Sequence, residues 1–138
     1  MSKQGFDYLG KLSPEIAKYC KLNEHKNKTI VMYDDRREHV INRHLEDFGS
    51  IEKIDFVISK LRVIIKKPDM VFYNKKTKGL EFYKNIGTTN NEKSIVIAIR
   101  INSSKILKVR SFYPVSASKI KNRKKQETKK FYHEKRAL

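Results

Sequence analysis

The chain has 138 residues, 38% hydrophobic and 10% aromatic, and its 32 Lys/Arg outnumber 15 Asp/Glu to give a formal net charge of +17. That length and apolar content fit one domain with a modest core and exclude a wholly disordered chain. No run of 18 apolar residues is present to span a membrane, no apolar segment follows Met1 to serve as a signal peptide, and the single Cys20 excludes an internal disulfide framework and a four-cysteine zinc site.

In chain order, Ser13-Pro14-Glu15 predicts a helix start: a capping hydroxyl, a proline in the first turn, then an acid. Ile16, Tyr19, Cys20 and Leu22 give this helix a short apolar stripe, and Thr29–Tyr33 is a brief β-type run. Asp34-Asp35 opens a second helix that Gly49 ends, with Val40, Ile41, His44, Leu45 and Phe48 at helical spacing on one face. Ser50 caps a third helix with the stripe Ile51, Ile54, Val57, Ile58 and Leu61, and Pro68 stops it. After Pro68 the apolar period falls to two. Met70–Asn74 and Leu80–Ile86 read as strands joined through a hairpin at Gly79, and Ser94–Ile101 and Lys105–Tyr113 as two more, with Pro114 ending the last. Residues 87–93 are polar and read as a mobile loop; Ser116 caps a last basic helix. The expected fold class is α+β, with N-terminal helices packed on one face of a four-stranded antiparallel meander. The expected organisation is an N-terminal helical segment 1–28, a core 29–120 and a basic C-terminal helix and tail 121–138, free-standing from Met1.

The charge is uneven. Residues 105–138 hold twelve Lys/Arg against Glu127 and Glu134, so a quarter of the chain carries +10 of the +17. Such a field attracts phosphate backbones and speeds encounter with them. Lys119, Lys121, Arg123 and Lys124 are candidate phosphate contacts, together with Arg43 and Lys108. A membrane-surface helix needs an apolar stripe, and 116–130 offers little beyond Ile120. No GxxxxGK[ST] or GxGxxG stretch is present to cradle a nucleotide, and no cofactor is expected.

The candidate chemistry rests on histidine. His39 and His44 lie on the second helix five residues apart, about 140° round its axis, which is wrong for a paired metal site. No metal is expected. His44 sits inside the apolar stripe and points at the sheet; His39 flanks the stripe beside Arg43. On the fourth strand, alternation puts Leu107, Val109, Ser111 and Tyr113 on the helix-facing side and Lys108, Arg110 and Phe112 on the other, unless a bulge swings Arg110 round. A helix histidine then meets a serine, a tyrosine and cations at the open end of the sheet. These residue types suit RNA cleavage without metal. A histidine near neutral pKa takes the ribose 2′-hydroxyl proton, the oxygen attacks phosphorus, Arg or Lys stabilises the phosphoryl oxygens, and a second histidine or a tyrosine protonates the 5′-oxygen. The product carries a 2′,3′-cyclic phosphate. Each residue alone has a plainer reading: His44 as a satisfied core histidine, His25, His39 and His133 as surface positions, Arg110-Ser111 as a structural pair, Cys20 as a small core hydrophobe.

Taken as an ordered set, His39-x-x-x-Arg43-His44, Ile65-Lys66-Lys67-Pro68-Asp69, the alternating meander and Val109-Arg110-Ser111-Phe112-Tyr113-Pro114 resemble the Barnase–EndoU–colicin–RelE-like nucleases of phage and mobile-element type. The resemblance covers roughly residues 30–120. It implies helices preceding a four-stranded antiparallel sheet and metal-independent cleavage of RNA, in domains that often act as toxins. Carried onto this chain, it assigns His39, His44, Ser111 and Tyr113 to catalysis with Arg110 beside them; a RelE-type ribosomal target suits Lys119 and Arg123. The expected partners are RNA (tRNA, mRNA or ribosome-bound RNA) and an acidic antitoxin or immunity protein, with no membrane, in the cytoplasm. The competing expectation is a non-catalytic basic RNA- or DNA-binding module of ribosomal or phage accessory type.

Overall fold

The computed structural model describes residues 5–86, 94–124 and 130–133. The elements are β1 (Phe6–Lys11), α1 (Pro14–Tyr19), a one-turn 3₁₀ helix (Asn23–His25), β2 (Thr29–Tyr33), α2 (Asp35–Phe48), α3 (Ile51–Lys66), β3 (Met70–Asn74), β4 (Gly79–Lys84), β5 (Ser94–Arg100), β6 (Ile106–Val115), α4 (Ala117–Lys124) and β7 (Lys130–His133). The expected loop 87–93 lies outside the described residues.

The helix punctuation is made by the residues expected to make it, with one exception. Ser13 Oγ accepts from the Ile16 amide at 3.1 Å, Ser50 Oγ from the Lys53 amide at 3.2 Å and Ser116 Oγ from the Lys119 amide at 3.3 Å. Gly49 ends α2 at φ 93°, a left-handed conformation that favours glycine. Asp34 precedes α2 but makes no side-chain cap bond. Arg37 on α2 grips Asp55 on α3 with two bonds of 2.8 and 3.0 Å, tying the helices together.

Strands β3, β4, β5 and β6 pair antiparallel in sequence order, as the alternation predicts. The sheet is larger than a meander, however. Its seven strands run β1-β2-β6-β5-β4-β3-β7, and β2 pairs parallel to β6, so it is mixed. β1 lies in the segment expected to be helical and pairs antiparallel with β2. Its Leu9 and the following Leu12 are buried, which ties residues 6–12 to the core.

The sheet buries residues on both faces, not one. Leu80, Phe82, Ile95, Ile97, Ile99, Leu107, Val109 and Phe112 join Val40 and Phe48 of α2 and Ile54, Val57, Leu61, Ile64 and Ile65 of α3 in the main core. The alternate positions Met70, Phe72, Tyr83, Val96 and Val115 form a smaller cluster on the opposite face, against which Tyr113 and Ile120 of α4 pack. Three stripe positions face water instead: Tyr19 is 48% exposed, Leu45 37% and Ile51 42%. Cys20 is buried as expected, and burial pushes its thiol up to about 12. No helix among the described residues is long and apolar enough to cross a membrane.

Candidate active site

β2 pairs with β6 only from Thr29–Val31 to Ile106–Lys108. Beyond that point the chain turns into α2, which packs along the rest of β6. The helix therefore occupies the flank where a neighbouring strand would run, and its first turns reach the sheet face opposite α3. Arg36 marks the junction: its guanidinium donates to the Arg110 carbonyl at 3.2 Å and to both carboxylate oxygens of Asp35 at 3.1 and 3.3 Å.

β6 is bulged at this junction. Ala98 pairs with Ser111 and Ile99 with Val109, which leaves Arg110 as the extra residue. Its effect is to change which side chains share a face. Leu107 and Val109 point into the main core before the bulge and Phe112 after it, where the Phe112 ring meets Phe48 edge-on at 5.9 Å. Lys108, Arg110, Ser111 and Tyr113 consequently fall on the other face. This corrects the uninterrupted alternation, which placed Ser111 and Tyr113 with Leu107 and Val109.

Ser111 opens into a cleft of about 330 Å³ lined by Arg36, His39, Thr77, Gly79, Glu81, Ala98, Ile99, Arg100 and Arg110. The Ser111 hydroxyl is buried and has no hydrogen-bond partner among the described residues. His39 is half-buried, and burial first, then the charges of Arg36, Arg43 and His44, hold its imidazole below the ordinary histidine value against a smaller upward pull from Asp35. His39 therefore favours its neutral form more than a free histidine does, in a cleft rich in guanidinium groups. Glu81 accepts the Tyr83 hydroxyl at 2.6 Å, and Thr77 Oγ1 accepts the Gly79 amide at 3.3 Å.

His44 and Tyr113 form an adjoining stack, ring centroids 5.0 Å apart and 22° from parallel, with Lys119 Nζ 5.9 Å from the Tyr113 ring. His44 Nδ1 donates to Asp47 Oδ2 at 2.9 Å, which orients the ring and leaves Nε2 for another partner. Lys108 lies in a neighbouring pocket with Tyr33, Asp35, Arg36 and Arg110. Lys121 is exposed on α4, which also carries Arg123 and Lys124, while Arg43 is exposed beside His39.

The structure therefore brings His39, Arg110 and Ser111 into one cleft and sets His44, Tyr113 and Lys119 beside it. Arg36 and Arg100 escaped the sequence reading. Arg36 was recoverable, since Arg36, His39 and Arg43 repeat at i, i+3 and i+7 on one helix face. Arg100 carries no such signal; it reaches the cleft because it pairs with Gly79 at the hairpin. His25 departs from expectation. It is buried, its Nδ1 accepts from Lys28 Nζ at 2.7 Å, and burial and Lys28 lower its pKa. His133 lies on β7. Among the described residues, no three His, Cys, Asp or Glu side chains gather into a cluster that could hold a metal ion.

No curated protein and no solved structure matches the chain significantly. A family model does, over residues 8–122, which runs from within β1 through most of α4 and takes in every residue of the cleft. With that match across most of its length, the chain belongs to the phage-Barnase-EndoU-ColicinE5/D-RelE like nuclease3 family, a family of nucleases.

Proposed function

We propose that the chain is a metal-independent endoribonuclease that cleaves by attack of a ribose 2′-hydroxyl on the adjacent phosphorus. The observation that carries this reading is the convergence of His39, Ser111, Arg36, Arg100 and Arg110 on one cleft. Neutral His39 accepts the 2′-hydroxyl proton. The 2′-oxygen bonds to phosphorus, and charge builds on the phosphoryl oxygens, where Arg100 and Arg110 stabilise it while Arg36 holds the Arg110 carbonyl. The Ser111 hydroxyl, buried at the cleft wall, rotates toward the seated substrate and donates to the same group. The P–O5′ bond breaks, and the leaving oxygen takes a proton from His44 or Tyr113, whose stacked rings adjoin the cleft. The product ends are a 2′,3′-cyclic phosphate and a 5′-hydroxyl.

The strong positive field fits a phage-borne, toxin-like role in which an acidic antitoxin or immunity protein covers the cleft. The test is cleavage of RNA by the wild type and by His39→Ala, with the ends identified by mass. A 2′,3′-cyclic phosphate formed by the wild type and lost in the variant supports the reading. Ends bearing a 3′-hydroxyl contradict the mechanism. RNA that is bound but left intact favours the non-catalytic binding module.

A further inference from the structure

A basic pocket next to the cleft takes no part in the catalytic reading. It has a volume of about 370 Å³ and is lined by Tyr33, Asp35, Arg36, Lys108, Val109 and Arg110. Arg36 and Arg110 also line the proposed catalytic cleft, so the two hollows are contiguous. Their arrangement follows from the fold. Val31 of β2 is level with Lys108 of β6 in a parallel pair, and Tyr33 lies two residues further along β2 as Arg110 does along β6. The bulge then sets Arg110 beside Ser111, between the two hollows.

The charges in this pocket are unequal. The Arg36 guanidinium is committed to Asp35 and to the Arg110 carbonyl. Lys108 and Arg110 are exposed, and among the described residues neither has a carboxylate within salt-bridge distance. Lys108 is not extended into water at random: its Nζ sits 5.2 Å from the centroid of the Tyr33 ring, a cation–π contact that holds the ammonium at the pocket. The Tyr33 ring is itself braced edge-on by Phe6 at 5.7 Å. Two uncompensated cations, one of them held in place and the other shared with the cleft, are suited to a phosphate group.

We propose that this pocket binds the phosphate next to the scissile one, so that Arg110 bridges two successive phosphates and the enzyme selects an RNA segment extending past the cleaved linkage. This rests on the endoribonuclease reading and adds to it a substrate class and a binding residue, Lys108. The same pocket chemistry accepts either an internal phosphodiester or a terminal phosphomonoester.

The test uses a single-stranded oligonucleotide with one free 2′-hydroxyl, which fixes the cleavage site. Neutral methylphosphonates replace the linkage on the 5′ side or on the 3′ side of that site. Two further substrates are truncated at the flanking position and end in a phosphate or in a hydroxyl. Cleavage (kcat/KM) and binding (Kd by anisotropy) are measured for the wild type, Lys108→Gln and Tyr33→Leu. The expected result is a loss of about tenfold when one flanking linkage, and not the other, is neutralised. Lys108→Gln loses about as much on the charged parent and nothing further on that neutralised substrate. Tyr33→Leu, which removes the ring beneath Lys108, gives a smaller loss at the same linkage. Equal loss for Lys108→Gln on every substrate, or none on any, overturns the proposal. Full activity on the phosphate-ended truncation identifies a terminal phosphomonoester as the ligand; activity restored only by the longer chain identifies the internal diester. If no substrate is cut but binding shows the same coupling, the pocket stands and the cleavage reading fails.

Discussion

Ser111 holds a hydroxyl that folding has removed from water without giving it a partner among the described residues. An unsatisfied buried hydroxyl costs about 1–3 kcal/mol. Ser111→Ala is therefore expected to raise stability by about 1 kcal/mol in urea denaturation while lowering the cleavage rate; a destabilised, fully active variant contradicts the role given to the hydroxyl. The sign of the His39 shift makes a second prediction. Burial and the neighbouring cations lower its pKa, so between its folded value and about 6.5 the unfolded chain binds more protons than the native one. Its contribution to stability is accordingly present above pH 6.5 and declines as pH falls toward the folded value. Activity follows the same neutral form: the acid limb of kcat/KM has its midpoint below 6.5, and His39→Ala lowers kcat by about 10²–10⁴. Both histidines were legible because their helical phase could be counted. The way Arg110 and Ser111 share a face was not, because the bulge depends on the register against β5 rather than on any local glycine or proline.

At the scale of elements, most local signals held, but Asp34 makes no cap bond and β6 runs through Pro114, expected to end it, to Val115. The capping serines and Gly49 stand directly at the ends of the helices they bound, and the period-two runs coincide with the paired strands. Ser50→Ala is expected to cost about 1 kcal/mol through the lost bond to the Lys53 amide, measurable by urea denaturation. β1 was missed because its residues do not alternate cleanly. Phe6 and Tyr8 are exposed, Leu9 is buried, and Gly10 at φ 144° sits where the pairing with β2 shifts register. The parallel pairing of β2 with β6 was equally hidden, since it joins segments more than seventy residues apart. It is that pairing, ended at Lys108, which lets α2 approach β6 and deliver Arg36 and His39.

For the whole molecule, composition was the surest guide: a net charge of +17 pointed to a polyanion before any element was placed. Binding of single-stranded RNA is expected to weaken steeply with salt, at a slope of about 0.7 per phosphate contact in log–log form. Lys119→Gln with Lys121→Gln, both exposed on α4, is expected to reduce that slope and weaken binding several-fold with the melting temperature unchanged. An unchanged slope contradicts a phosphate role for this helix. The seven-stranded sheet, with cores on both faces, gives the cleft a rigid floor, and the helix that supplies its histidine is fixed to α3 through Arg37 and Asp55.

His39 and its helix neighbour His44 are proposed to drive cleavage of RNA without metal. The most direct measurement is incubation of the purified protein with a structured RNA pool in EDTA, beside His39→Ala/His44→Ala, followed by analysis of the RNA ends. The predicted result is fragments with 2′,3′-cyclic phosphate ends from the wild type and intact RNA from the double variant. Cleavage that survives in the double variant, or RNA that the wild type binds and leaves whole, would contradict it.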